Sequence, residues 1–153
     1  MDATVIWQQG LSFGGTSDSG FEVPLGADLE IGGSNDGFRP LELMAVSLAG
    51  CTAMDVVSIL RKKQQDVTAF EVRVHADRAV EHPKVFTHAL ITYLVTGHSV
   101  GELAVRRAIE LSTTRYCPAH AMLAKVLPME SFYEIYEGDG AVDHQLLKTG
   151  KYG

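Results

Sequence analysis

A long apolar segment in the middle of the chain limits the folds open to it more than any other feature. Residues 40–63 contain a single glycine, and Pro40 suits the first turn of a helix. Only a few polar side chains lie between Leu41 and Leu60: Glu42, Ser47, Thr52, Asp55 and Ser58. The segment therefore predicts a central helix with most of its circumference covered by protein.

Strand-like segments lie on both sides of this helix. Short alternating runs separated by glycines predict two or three antiparallel strands over residues 4–26. Two longer alternating runs predict a hairpin over residues 68–97. Two shorter helices and one more strand follow, at residues 100–116, 119–127 and 131–138. Because strands and helices do not alternate regularly, we predict an α+β fold.

The predicted elements form one domain over residues 1–138. The remaining segment, residues 139–153, is polar, and we expect it to be a loosely held C-terminal tail.

The central helix also predicts a partner. A helix that is apolar on nearly every side needs more cover than the short strands and two other helices give. Ala45, Ala49 and Ala53 recur every four residues beside Gly50, which makes a smooth face for a second helix. We therefore predict a homodimer in which this face meets its symmetry mate.

Charge and the N-terminal residues exclude several classes of partner. The formal net charge is -6 and the longest basic run is Arg61–Lys63, so we predict no nucleic-acid binding. The N-terminus has an acidic second residue and no long apolar run, which suits neither a signal peptide nor a membrane anchor. We predict a cytoplasmic protein with no membrane partner.

The chain has two cysteines, Cys51 and Cys117, too few for a disulfide-stapled secreted domain. A buried free cysteine usually serves as a small hydrophobic residue. Cys117, however, precedes Pro118, and a sulfur at a helix N-terminus is favoured as thiolate. Cys51 is inert unless a cation or a hydrogen-bond donor reaches it. The residues alone leave both interpretations open, core filler and reagent.

Metal binding finds little support in the sequence. Cys117 and His120 are three residues apart, a spacing that could place both on one metal ion. No convincing third and fourth ligands accompany them. We predict neither a metal nor an organic cofactor.

Two segments together are similar to a known family. The sequences RPLELMAVSLAGCTAMDVVSILRKK (residues 39–63) and AIELSTTRYCPAHAML (residues 108–123) resemble the OsmC/Ohr family of osmotically inducible and hydroperoxide-reducing proteins. The resemblance spans most of the chain. It implies an intertwined homodimer in which antiparallel sheets wrap two long central helices.

The resemblance also implies a thiol peroxidase that reduces organic hydroperoxides to alcohols. Cys51 would attack the peroxide, and the resulting sulfenic acid would condense with Cys117 to a disulfide. A dithiol reductant would then regenerate both thiols. The alternative is a noncatalytic dimer of the same fold that senses oxidants through these thiols or binds a small apolar ligand.

The chain departs from the family pattern around the cation that activates the thiolate. The family's peroxidases take an arginine from the N-terminal region and hold it with a glutamate directly after the proline. Here residues 1–38 contain no arginine or lysine, and the acid comes one place late, at Glu42. The predicted catalytic set is therefore Cys51, Cys117, Glu42 and Arg39.

Three polar residues near the cysteines also have plainer interpretations. Glu42 equally suits a favourable interaction with the helix dipole, and Arg39 suits a solvated loop. Asp55 lies one turn beyond Cys51, where it could be an ion-pair or hydrogen-bond partner without a chemical role.

Overall fold

The computed structural model describes residues 1–153, which form two compact units, residues 1–44 and residues 45–153. One long helix, α1 (Pro40–Lys62), begins in the first unit and continues through the second. Its bounds agree with the central helix predicted over residues 40–63.

The first unit contains a three-stranded antiparallel sheet. Strands β1 (Ala3–Gln9), β2 (Ser12–Ser17) and β3 (Glu22–Leu25) pair in chain order. A single 3-10 turn, Leu29–Ile31, and a loop lead to α1. The sheet confirms the antiparallel strands predicted for the N-terminal segment.

The second unit contains a four-stranded sheet with strand order β4-β5-β6-β7. Strands β4 (Asp66–Arg78) and β5 (Phe86–His98) form the predicted hairpin. The chain then passes through two helices joined by one π-helical turn before it returns to the sheet: α2 (Glu102–Leu111), Ser112–Tyr116, α3 (Pro118–Leu123) and β6 (Met129–Gly138).

The sheet is mixed, whereas we expected only antiparallel sheets. Strand β6 pairs with β5 in parallel. Parallel neighbours need a long crossover connection, and α2 and α3 supply it. The α+β class is correct, and this one strand pair differs from the prediction.

The segment after residue 138 is not a loose tail. It forms strand β7 (His144–Tyr152), which pairs antiparallel with β6. Lys148 on this strand forms an ion pair with Glu102 of α2 at 2.5 Å. Backbone pairing with β6 therefore orders a segment whose polar composition suggested the opposite.

The core of the second unit lies between the sheet and one stripe of α1. Buried positions recur every four residues along that helix: Leu48, Thr52, Val56 and Leu60. The three apolar members of this stripe join one buried cluster with residues of β5 and α2, among them Ile91, Tyr93, Val105 and Ile109. Burying this stripe fixes which side of α1 faces the sheet, and so fixes where Cys51 points.

Candidate functional site

The long helix holds Cys51 at the edge of its buried stripe. Cys51 immediately precedes Thr52, which is fully buried, and its own side chain is half-buried. Asp55 follows one turn later and is also half-buried. Because residues four apart lie on the same side of a helix, Cys51 and Asp55 project in the same direction.

The second cysteine, Cys117, directly follows a π-helical turn at the end of α2. Helix α2 ends in the π-helical turn Ser112–Tyr116, where the Cys117 N–H donates to the Ser112 carbonyl at 2.9 Å. Pro118 then opens α3, and Cys117 is its N-cap residue. The Cys117 sulfur accepts a hydrogen bond from the His120 backbone N–H at 3.3 Å. Turns of this kind occur often at functional sites.

The two cysteine sulfurs lie 2.8 Å apart, and both cysteines are free thiols. The expectation that they lie close enough to react with each other is met. The Cys117 S–H donates to the Cys51 sulfur. The two thiols therefore lie in different environments, because Cys117 donates this hydrogen bond and Cys51 accepts it.

The helix terminus does not favour a thiolate at Cys117, contrary to our expectation. Burial, followed by the hydrogen bond to Cys51, raises the pKa of Cys117 to about 12. The His120 N–H has an opposing effect, which is smaller. Burial disfavours the charged form, so Cys117 stays protonated at neutral pH.

A buried chain of hydroxyl groups connects the sheet to this site. Thr52 Oγ1 lies 2.7 Å from the Tyr93 hydroxyl and 2.8 Å from Ser112 Oγ, and Ser112 Oγ donates to Asp55 Oδ2 at 3.0 Å. Each hydroxyl has one proton to donate. The donors therefore run in one direction, from Tyr93 to Thr52 to Ser112 to the Asp55 carboxylate.

Tyr93, at the far end of this series of hydroxyl groups, stays protonated. Burial raises the pKa of Tyr93 to about 12, although hydrogen bonds with Thr52 and Ser131 act in the opposite direction. Tyr93 is fully buried in β5. The chain is thus anchored in the core and fixes the Asp55 carboxylate beside the cysteines.

His120 contributes a buried nitrogen without a partner. Its Nδ1 atom is inaccessible and forms no hydrogen bond. Burial lowers the pKa of His120, so the ring is neutral at pH 7. The metal pairing of Cys117 with His120 that the spacing suggested is not what the structure brings together, because Cys117 groups with Cys51 and Asp55 instead.

The other two predicted site residues belong to the first unit. The Arg39 guanidinium donates to Asp28, Asn35 and the Gly37 carbonyl. The Glu42 carboxylate accepts a hydrogen bond from the Arg39 backbone N–H at 2.9 Å, as in half of a capping box. These contacts order the start of α1. The catalytic roles predicted for Arg39 and Glu42 stay predictions.

Sequence reasoning missed most of the hydroxyl chain. The Thr52–Tyr93 and Thr52–Ser112 contacts join residues 41 and 60 positions apart, so no local pattern announces them. The usable signal was Thr52 itself, a polar residue in an apolar helix that needs a partner when buried.

Comparison with known proteins gives consistent matches over most of the chain. A family model described as OsmC-like protein matches residues 33–131. Protein YhfA from Escherichia coli (strain K12) is 40% identical over 136 residues, covering 88% of this chain and 98% of that protein.

Two solved structures illustrate the likeness in fold. A structural-genomics structure has a TM-score of 0.80 at 36% identity and covers 90% of this chain and 100% of its own. An organic hydroperoxide resistance protein OsmC from Legionella pneumophila has a TM-score of 0.63 at 12% identity. That match covers 88% of this chain and 94% of the other, and it is a likeness in fold alone.

Proposed function

Because this chain belongs to the OsmC-like protein family, we propose that it is a cysteine-based peroxidase that reduces organic hydroperoxides to alcohols. Cys51 is the residue that attacks the peroxide, and Cys117 is the residue that resolves the oxidised product. The single observation that carries this proposal is the 2.8 Å separation of the two free thiols, with the Cys117 S–H donated to Cys51.

The chemistry balances with these two sulfurs alone. The Cys51 thiolate attacks the terminal oxygen of the hydroperoxide, the O–O bond breaks, and the departing alkoxide takes up a proton as alcohol. Cys51 becomes a sulfenic acid. Cys117 then forms the S–S bond and a water molecule leaves. A dithiol reductant restores both thiols and is itself oxidised to a disulfide.

The different environments of the two thiols favour this division of roles. Cys117 is buried and protonated, so it reacts only after Cys51 presents an electrophilic sulfur next to it. Cys51 is partly open and receives a hydrogen bond on its sulfur. A peroxide therefore reaches Cys51 first.

A redox sensor built on the same thiols is the second candidate. Asp55 places a carboxylate within 4.8 Å of both sulfurs, and no ion pair within the chain involves Asp55. A neighbouring negative charge disfavours a thiolate, which suits slow single oxidation better than rapid turnover.

We also propose that the protein acts as a cytoplasmic homodimer.

Stoichiometric oxidation tests the chemistry. We expect one equivalent of cumene hydroperoxide to remove both titratable thiols and to give an intramolecular disulfide that dithiothreitol reverses. In Cys117→Ala a sulfenic acid on Cys51 should be trapped by dimedone. In Cys51→Ala, Cys117 should react far more slowly. Hydroperoxide that leaves both thiols titratable in the native protein would contradict the proposal.

Turnover separates the two candidates. With excess hydroperoxide and dithiothreitol, a peroxidase consumes many equivalents of peroxide per chain in a Cys51-dependent manner. A sensor consumes only the equivalents that oxidise its own thiols. Cys117→Ser serves as the matched control, since it retains the attacking thiol but lacks the resolving one.

A further inference from the structure

A compact cluster of metal-ligating atoms lies within the second unit. The sulfurs of Cys51 and Cys117 and a carboxylate oxygen of Asp55 all lie within 4.8 Å of one another. Cys117 is buried and the other two residues are half-buried. Two thiols and one carboxylate are a ligand set that soft or borderline divalent cations prefer.

A divalent cation can replace the two thiol protons of this cluster and compensate the charge that their loss creates. If both thiols ionise, three negative charges face one another, and no arginine or lysine of the chain forms an ion pair with Asp55. Such a group is costly to desolvate without a compensating positive charge. A divalent ion supplies that charge at the centre of the cluster.

We propose that the reduced protein binds one Zn²⁺ ion per chain through Cys51, Cys117 and Asp55, with water as the fourth ligand. Binding releases both thiol protons to solvent. The two thiols and the carboxylate carry one negative charge before binding, and the two thiolates, the carboxylate and Zn²⁺ together carry one afterwards. Three protein ligands plus water is a common arrangement for zinc sites that keep an open position.

The geometry requires only a small adjustment. Zinc–sulfur bonds of about 2.3 Å at a tetrahedral angle put the two sulfurs about 3.8 Å apart. The sulfurs lie 2.8 Å apart in the free site, so they must separate by about 1 Å. Cys51 and Cys117 come from different helices, so modest side-chain rotations can provide this shift.

Two features around the cluster suit a metal site: a hydrogen bond that orients the Asp55 carboxylate, and a neighbouring cavity. Ser112 Oγ donates to Asp55 Oδ2 and is held in turn by Thr52, which orients the carboxylate. Asp55 also lines a cavity of about 350 Å³, so the carboxylate side of the cluster adjoins open space. Lys62 and Lys63 line the same cavity. The affinity must therefore come from the thiolates rather than from long-range attraction.

Zinc and oxidation then compete for the same atoms. Coordination to zinc draws charge from both thiolates and lowers their nucleophilicity toward peroxide, and a Cys51–Cys117 disulfide has no thiolate for zinc. This inference depends only on reduced cysteines and not on the proposed peroxidase activity. Zinc binding and peroxide turnover can therefore fail independently.

The test measures zinc bound by the full-length protein in its reduced and oxidised forms. The protein is reduced with a phosphine, incubated with Zn²⁺, passed through gel filtration and analysed for metal. We expect one zinc per chain in the reduced form and none after disulfide formation. Surface histidines and carboxylates stay intact on oxidation, so zinc retained equally by both forms would overturn the proposal.

Variants identify the ligands. Cys51→Ser and Cys117→Ser should each lose the bound zinc, and Asp55→Asn should weaken binding by at least about tenfold. Asp66→Asn, at an exposed position at the start of β4, is the matched control and should bind as tightly as the wild type. Substituting Co²⁺ should give thiolate-to-metal charge-transfer absorption. Unchanged affinity in Asp55→Asn would remove Asp55 from the ligand set.

Discussion

Thr52 is the residue on which the interior polar contacts of the second unit depend. It lies in the buried stripe of α1 and connects Tyr93 on the sheet to Ser112 at the π-helical turn. A buried hydroxyl is tolerated because every member of this chain finds a partner. Its loss would remove one hydrogen bond from each of the Tyr93 and Ser112 hydroxyls.

We expect Thr52→Val to lower the free energy of unfolding by about 1–3 kcal/mol, because valine keeps the shape but removes the hydrogen bonds. Thr149→Val is the matched control, since Thr149 is exposed on β7, and it should change stability by less than about 0.5 kcal/mol. Chemical denaturation at one fixed protein concentration measures both. Equal stability of the two variants would show that the hydroxyl chain contributes nothing.

The candidate site could be predicted from the sequence only in part. Cys51 and Asp55 could be singled out because reactive or polar residues are conspicuous in an apolar helix, and Cys117 could be singled out because it precedes Pro118. The raised pKa of Cys117, which keeps it protonated, could not be predicted from the sequence because it depends on burial. Sequence reasoning placed a helix terminus there correctly but had no measure of how deeply the sulfur is enclosed.

Among the elements, β7 shows most clearly how tertiary contacts override composition. Gly150 of this strand pairs with Tyr133 of β6, and a Cβ atom added at Gly150 would overlap the Tyr133 ring. Tyr133 is buried, and its hydroxyl donates to Glu102 at 2.6 Å. The ring therefore has little freedom to move aside.

We expect Gly150→Ala to lower the free energy of unfolding by about 1–3 kcal/mol through overpacking against Tyr133. Gly140→Ala is the matched control, because nothing lies within 4 Å of a Cβ atom added there. Thermal or chemical unfolding of both variants provides the measurement. If the C-terminal segment were a loose tail, both substitutions would leave stability unchanged.

The elements that the sequence predicted well are the ones with a strong internal pattern. Helix α1 is long and apolar, and the β4–β5 hairpin alternates over 13 residues in each strand. Strand β7 has mostly exposed side chains and no such alternation. Strand β7 forms because it pairs with the free backbone groups of β6. The parallel pairing of β5 with β6 likewise could not be predicted locally, because it depends on how α2 and α3 bring the chain back to the sheet.

At the scale of the whole molecule, a single chain leaves many large apolar side chains exposed. On α1, Val46 is 54% and Met54 is 71% exposed. On β1, Val5, Ile6 and Trp7 are each more than half exposed. Exposed apolar side chains in such number are typical of an interface, and the proposed homodimer would cover them.

The length and composition of α1 would also suit a helix that crosses a membrane. Only 22% of its most apolar 18-residue stretch is buried within the chain. Core helices of soluble proteins meet the same criterion. The two possibilities differ in solution behaviour. A dimer stays dispersed without detergent, whereas a membrane-spanning chain does not.

We expect the wild-type protein to sediment as a dimer and Met54→Lys to raise the dimer dissociation constant by at least about tenfold, or 1.4 kcal/mol. Met54 is exposed in the single chain, so lysine there leaves that chain's own core intact but puts an unpaired charge into the proposed interface. Leu103→Lys on α2, where leucine is 82% exposed, is the matched control and should dimerise like the wild type. Analytical ultracentrifugation over a range of concentrations without detergent measures all three proteins. A stable wild-type monomer, or a Met54→Lys dimer as tight as the wild type, would contradict an interface on this side of α1.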